Sequence, residues 1–219
     1  MAADLASDGW HLLIDGRDPD ALAEVAAELG TQTTIRALPG DIADAVHRGA
    51  LAAAVAQWGG LDALVHNASL LDGDRDRPRL RNLTGYPLDG LRRMLEVNTI
   101  APLALTQLVL PQLRASARLV AVTSDAAAEA YEGWGGYGAS KAALEQLFAV
   151  LAVERPDLRI YRVDPGEMRT RMYQDAAPDE DISDLLPPEV SVPGIKTLLV
   201  GDLPSGRYLA RSLAPAVTP

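Results

Sequence analysis

Leu119-Val120-Ala121-Val122-Thr123-Ser124, then a helical stretch from Gly136 to Ala152, then Leu158 to Val163 emptying into Asp164-Pro165-Gly166: this segment reads as strand, helix, strand. The two outer runs are short and apolar, as strands covered on both faces are. The helical stretch between them is long enough to return the chain to the start of a parallel neighbour, which a hairpin turn cannot do. A parallel sheet with helices packed on it follows, the α/β class.

The same alternation extends outward from this unit. Upstream, Trp10 to Ile14 reads as a strand, and Asp18-Pro19 opens a helix as N-cap and N1 proline that stops at Gly30. Thr33 to Leu38 is a second strand. A helix from about Ile42 to Trp58 is closed by Gly59-Gly60, and Leu61 to Val65 is a third strand ending at His66-Asn67-Ala68-Ser69. Leu71 to Tyr86 is polar and turn-rich, hence a loop. A helical segment covers about Leu88 to Arg114, interrupted at Pro102 and near Pro111. Beyond Gly166, the acidic, proline-punctuated stretch 171–188 predicts a mobile loop or broken helix. A helix around Pro188 to Val200 and a strand from Gly206 to Ala210 complete a single domain over 1–219.

Composition narrows the function classes. With 219 residues, 48% of them hydrophobic, the chain can bury one sizeable core. A net charge of −10 argues against a phosphate-backbone partner, so no nucleic-acid binding is expected. The absence of cysteine removes disulfides, thiolate metal sites and cysteine nucleophiles, and no metal site is predicted. Met1-Ala2-Ala3-Asp4-Leu5 lacks the basic start and apolar run of a signal peptide, which suits a cytoplasmic protein. No apolar stretch approaches roughly 18 residues without a polar break, so no membrane span is expected.

Tyr137 and Lys141 stand at i and i+4 and share one helix face. An ammonium beside a phenol favours the phenolate and lowers the tyrosine pKa from about 10. A phenol tuned that way can exchange a proton with a carbonyl or alcohol oxygen near neutral pH. Ligands of open α/β sheets lie beyond the carboxyl ends of the strands. Arg17, Asp41, Asn67, Ser124 and Asp164-Pro165-Gly166 all follow strands, which is the reason to read them as one site.

On these residues the chain resembles the short-chain dehydrogenase/reductase family, from about Asp4 to Arg211. The carrying motifs are Asn67-Ala68, Asn98 in Glu96-Val97-Asn98-Thr99, Ser124, Tyr137-x-x-x-Lys141 and Asp164-Pro165-Gly166-x-x-x-Thr170. The resemblance implies a Rossmann-like, doubly wound, mostly parallel sheet. It implies an oxidoreductase that interconverts a carbonyl and an alcohol by hydride transfer with a nicotinamide cofactor. Tyr137 would be the general acid/base. Lys141 would lower its pKa and hold the nicotinamide ribose, and Ser124 would hydrogen-bond the reacting oxygen. Asn98 would hold a water that resupplies protons through Lys141. Asn67-Ala68, Pro165, Gly166 and Thr170 would line the cofactor, and Asp41-Ile42 the adenine, although Asp41 also suits a helix N-cap. The family's usual Asn-Asn-Ala-Gly stands here as His66-Asn67-Ala68-Ser69, and His66 reads better as a satisfied strand-end histidine than as a catalytic group.

Cofactor choice falls at Leu13-Ile14-Asp15-Gly16-Arg17. An arginine there pairs with a 2′-phosphate, and an acid there accepts from a ribose 2′-hydroxyl. Arg17 favours NADP; a one-residue shift would make Asp15 the acid that selects NAD. The family's opening strand and Gly-rich phosphate turn do not precede Asp4, so the chain reads as N-terminally truncated relative to the family. Three explanations stand: a start upstream of Met1, a fold that closes the gap or borrows a partner's strand, or a cofactor-free relative acting as an interaction or scaffold protein. The substrate would be a small carbonyl or alcohol. The acidic run Asp175, Asp179, Glu180, Asp181 and Asp184 reads as a solvated lid, and Met168 and Met172 read as packing. Homo-oligomerisation, as a dimer or tetramer through the long helices, is implied by the resemblance alone.

Overall fold

The computed structural model describes residues 1–71 and 80–213, so 72–79 of the anticipated loop lie outside the described residues. The chain forms two compact units. The first comprises 1–61 and 104–114 and holds α1 (Ala2–Ser7), β1 (Leu12–Gly16), α2 (Pro19–Leu29), β2 (Ile35–Pro39) and α3 (Ala45–Gln57). Strands β1 and β2 pair in parallel, Leu12 opposite Ile35 through Gly16 opposite Pro39. Strand β1 starts later than the apolar run suggests because Trp10 belongs to the turn leaving α1. Its N–H bonds Leu5 O at 3.0 Å, and Gly9 supplies the positive φ of that turn.

Asp18 caps α2 as its sequence predicts, its carboxylate accepting from the N–H groups of Asp20 and Ala21. Helix α3 begins at Ala45 rather than Ile42, with Asp44 as its N-cap. Asp41 caps the turn before it, accepting from Ala43 N at 2.9 Å.

The second unit comprises 62–103 and the described residues from 115 onward. Strands β3 (Leu61–His66), β4 (Leu113–Val122), β5 (Arg159–Asp164) and β6 (Gly206–Leu209) form one sheet in that order. Strand β5 runs parallel to both neighbours, with Val122 opposite Val163 and Asp164 opposite Leu209. Leu119, Val120, Ala121, Ile160, Tyr161 and Val163 are fully buried in the sheet. Helix α6 (Gly135–Glu154) buries Leu144 and Phe148, and α8 (Val192–Val200) buries Leu198 and Leu199. Gly138 lets α6 approach the turn after β4, because a Cβ there would lie 2.5 Å from Ala126 O.

The long apolar helix is broken where proline chemistry requires it. Helix α4 (Leu88–Leu95) passes into a π-helical turn, Glu96–Ile100, before α5 (Ala101–Val109). Pro102 has no N–H to return to Asn98, and the ladder widens just before it, Ala101 N bonding Glu96 O. Pro111 sits in a 3₁₀ turn, Leu110–Gln112, after which the chain is already extended at Leu113 rather than Leu119. The segment Leu88–Gln112 has the length and hydropathy of a membrane span, yet half of its most apolar window is buried in the protein, as in a core helix. The stretch 171–188 is the broken-helix alternative: α7 (Arg171–Ala176) is followed by turns tied back through Arg169 N to Leu186 O.

Candidate active site

The carboxyl ends of β4 and β5 deliver Ser124 and Asp164-Pro165-Gly166 to one cavity of about 230 Å³, and α6 and α7 add Tyr137, Met172 and Tyr173. Thr170 lines it too and caps α7, its hydroxyl accepting from Tyr173 N at 3.2 Å. Gly166 has φ +76°, so the turn after β5 needs a glycine. Met168 and Met172 line this cavity, and Met172 packs against the buried cluster that contains Tyr137, in keeping with its reading as packing.

Lys141 is buried beneath Tyr137. Its Nζ donates to Val122 O at 2.9 Å and lies 5.7 Å from the Tyr137 ring centroid. Burial lowers its pKa to about 8. The phenol behaves opposite to the sequence expectation. Burial raises the Tyr137 pKa above its ordinary 10, Asp125 and Asp164 add to the rise, and only the hydroxyls of Ser69 and Ser124 oppose it. The reason is position: the ammonium is bonded to a backbone carbonyl, and desolvation of the phenolate dominates.

Asn98 is fully buried and its carboxamide is committed. Its Oδ1 accepts from Leu70 N at 2.7 Å, and Nδ2 donates to Leu70 O at 2.8 Å and to Ser140 Oγ at 2.9 Å. Ser140 in turn donates to Tyr137 O at 2.7 Å. Asn98 thereby clamps the loop after β3 to the second turn of α6, at Ser140. That loop leaves Asn67 and Ala68 exposed and buries Ser69 Oγ beside Tyr137, whose pKa its hydroxyl lowers. His66 is buried edge-on against Phe148 at 5.3 Å, and desolvation lowers its pKa to about 3, so it is neutral at pH 7. It is the last residue of β3, the strand-end position the sequence reading gave it.

Sequence reasoning passed over Asp125. Its Oδ1 accepts from Ser124 Oγ at 2.8 Å and its Oδ2 from the Tyr131 hydroxyl at 3.0 Å. Its place directly after Ser124 was the available signal.

In the first unit, Arg17 is exposed and has no partner among the described residues. The Asp15 carboxylate stands 3.3 Å from His47 Nε2. His47 is held under Gly40, where a Cβ would overlap its ring. Ile42 is buried and Asp41 holds its turn.

The model of the short chain dehydrogenase family matches residues 1–181. The chain belongs to the short-chain dehydrogenase/reductase family. A reductase of this family, the rhamnolipids-biosynthesis 3-oxoacyl-[acyl-carrier-protein] reductase of Pseudomonas aeruginosa, is 31% identical over 189 residues, 82% of this chain and 71% of that one. Matches to other curated relatives span as little as 51% of their length. Among solved structures, the Escherichia coli oxidoreductase YciK superposes with a TM-score of 0.85 at 29% identity, covering 95% of this chain and 87% of that one. A short chain dehydrogenase from Shigella flexneri, solved with NADP, gives 0.86 at 28% identity, covering 95% and 89%. The α/β architecture with parallel strands is thus the fold of this dehydrogenase family, and the chain is an oxidoreductase of that type.

Proposed function

We propose that the chain is an NADP(H)-dependent carbonyl reductase or alcohol dehydrogenase whose proton-transfer group is Tyr137. The observation that carries this is the meeting of Ser124, Tyr137 and the Pro165-Gly166 turn at one cavity, with Lys141 buried under the ring. When bound, NADP(H) supplies the hydride. The chain's own residues do the rest. Ser124 and Tyr137 would hydrogen-bond the reacting oxygen, Tyr137 would give it a proton as the carbonyl is reduced and take one back as the alcohol is oxidised, and Lys141 would hold the ribose hydroxyls and place a positive charge beneath the ring. Arg17, exposed and without a partner among the described residues, fits a 2′-phosphate, and Asp15 is engaged by His47, which favours NADP over NAD. The exposed Asn67-Ala68 would line the cofactor, and the half-buried Thr170 at the cavity would meet its carboxamide or phosphate side.

Two measurements test this. Fluorescence titration with NADPH should saturate. Tyr137→Phe should leave that binding within about 3-fold and cut turnover of aromatic aldehydes by about 10³-fold or more. Turnover that survives in Tyr137→Phe would remove the assignment. Failure of the 219-residue chain to bind NADPH would overturn the NADP(H) assignment.

A further inference from the structure

The cavity beside Ser124 has a lining that carbonyl chemistry alone does not require. Four aromatic rings face it, Tyr131, Trp134, Tyr137 and Tyr173. Trp134 sits edge-on to Tyr137 at 5.7 Å and tilted against Tyr173 at 6.3 Å. Three carboxylates share the same space. Asp164 is paired with Arg207 at 3.4 Å. Asp125 and Glu167 have no ion pair among the described residues. The hydrogen-bond partners of Asp125 are uncharged donors, the hydroxyls of Ser124 and Tyr131 and the N–H of Ala126. The nearby guanidinium of Arg211, behind Gly166, is committed to Glu167 O and Ser191 Oγ.

An aromatic-walled cavity with two uncompensated carboxylates has a negative interior. The hydrogen bond to Asp125 leads in raising the Tyr131 phenol pKa, whereas burial leads for Tyr137 and Tyr173 and Asp125 adds to both. Ring faces attract cations, more so when water is excluded, and an opposite charge nearby adds to this. The same field repels carboxylates and phosphates. A volume of about 230 Å³ is below the ~300–1,000 Å³ of drug-sized ligand sites and suits one substituted ring or a short chain.

We propose that this cavity selects a small carbonyl or alcohol substrate bearing a cationic amine. Asp125 and Glu167 provide the counter-charge, and Tyr131, Trp134 and Tyr173 the cation–π wall. This substrate class rests on the oxidoreductase reading above. Because Asp125 touches Ser124, the cation and the reacting oxygen lie within the span of one small molecule.

Three matched probes test it: 4-(trimethylammonio)benzaldehyde, its neutral isostere 4-tert-butylbenzaldehyde, and 4-carboxybenzaldehyde. Binding is read by Trp134 fluorescence in a Trp10→Phe/Trp58→Phe background, and turnover by NADPH oxidation. The cation should bind about 10-fold tighter than its neutral isostere, and the carboxylate more weakly than both. Asp125→Asn should bring cation and neutral probe within about 2-fold, and Glu167→Gln should narrow the gap without touching Ser124. Raising salt should reduce the preference in the wild type. Equal binding of cation and isostere, or a preference unchanged in both variants, overturns the inference. Charge-selective binding with no turnover of any probe supports the cation site and removes the oxidoreductase reading. Turnover without charge selectivity does the reverse.

Discussion

His66 stands 7% exposed against Phe148, the one phenylalanine of the chain, with an imidazole that burial keeps neutral. Its folded pKa of about 3 lies below the ordinary 6.5. Between these values the unfolded chain binds a proton that the folded chain refuses, so the His66 contribution is complete above pH 6.5 and is lost as pH falls towards 3. At about 1.36 kcal/mol per unit, the full span is of order 5 kcal/mol. His66→Asn should therefore flatten the acid side of the stability profile, measured by urea unfolding between pH 7 and pH 4. An unchanged slope would show that His66 is not the group responsible. Lys141 obeys the same rule at the alkaline end, its charged form disfavoured by burial. Both residues illustrate that a type named by sequence acquires its chemistry from the solvent it loses.

At the scale of elements, the π-helical turn Glu96–Ile100 is the piece on which the site hangs. It is placed by Pro102, which a sequence reader sees as a break, and it points Asn98 at the loop after β3. Removing that carboxamide leaves the Leu70 N–H and C=O without their partner and frees Ser140. An unsatisfied buried group costs about 1–3 kcal/mol, so Asn98→Ala should destabilise the chain by about 2–4 kcal/mol. It should also speed hydrogen exchange at the Leu70 amide, since the clamp is local. Exchange at Leu70 that is no faster would remove the clamp role. Strand ends, the Asp18 cap and the Tyr137-x-x-x-Lys141 face were legible because each depends on neighbours in sequence. The start of β4 at Leu113 was not, because Pro111 permits either a helix end or a strand entry.

On the scale of the molecule, the two units differ in how well their sheets are covered. No residue of β1 or β2 is fully buried, whereas β4 and β5 hold six residues, Leu119, Val120, Ala121, Ile160, Tyr161 and Val163, with no exposed surface. Backbone hydrogen bonds shielded by fewer apolar side chains open locally more often. Amides of β1 and β2 should therefore exchange at least about 10-fold faster than those of β4 and β5 at neutral pH. Equal protection would show that the units open only together.

The sequence by itself determined the α/β class, the order of strands and helices, and the Tyr137–Lys141 face, since periodicity and i, i+4 spacing are local properties. It also placed Ser124 and Asp164-Pro165-Gly166 at strand ends. Tertiary structure decided what those residues meet. It bonded Ser124 to Asp125, turned the Asn98 carboxamide to Leu70 and Ser140, and set His47 beside Asp15. It also reversed the expected direction of the Tyr137 pKa, because desolvation is the work of everything packed around a group and no spacing along the chain encodes it.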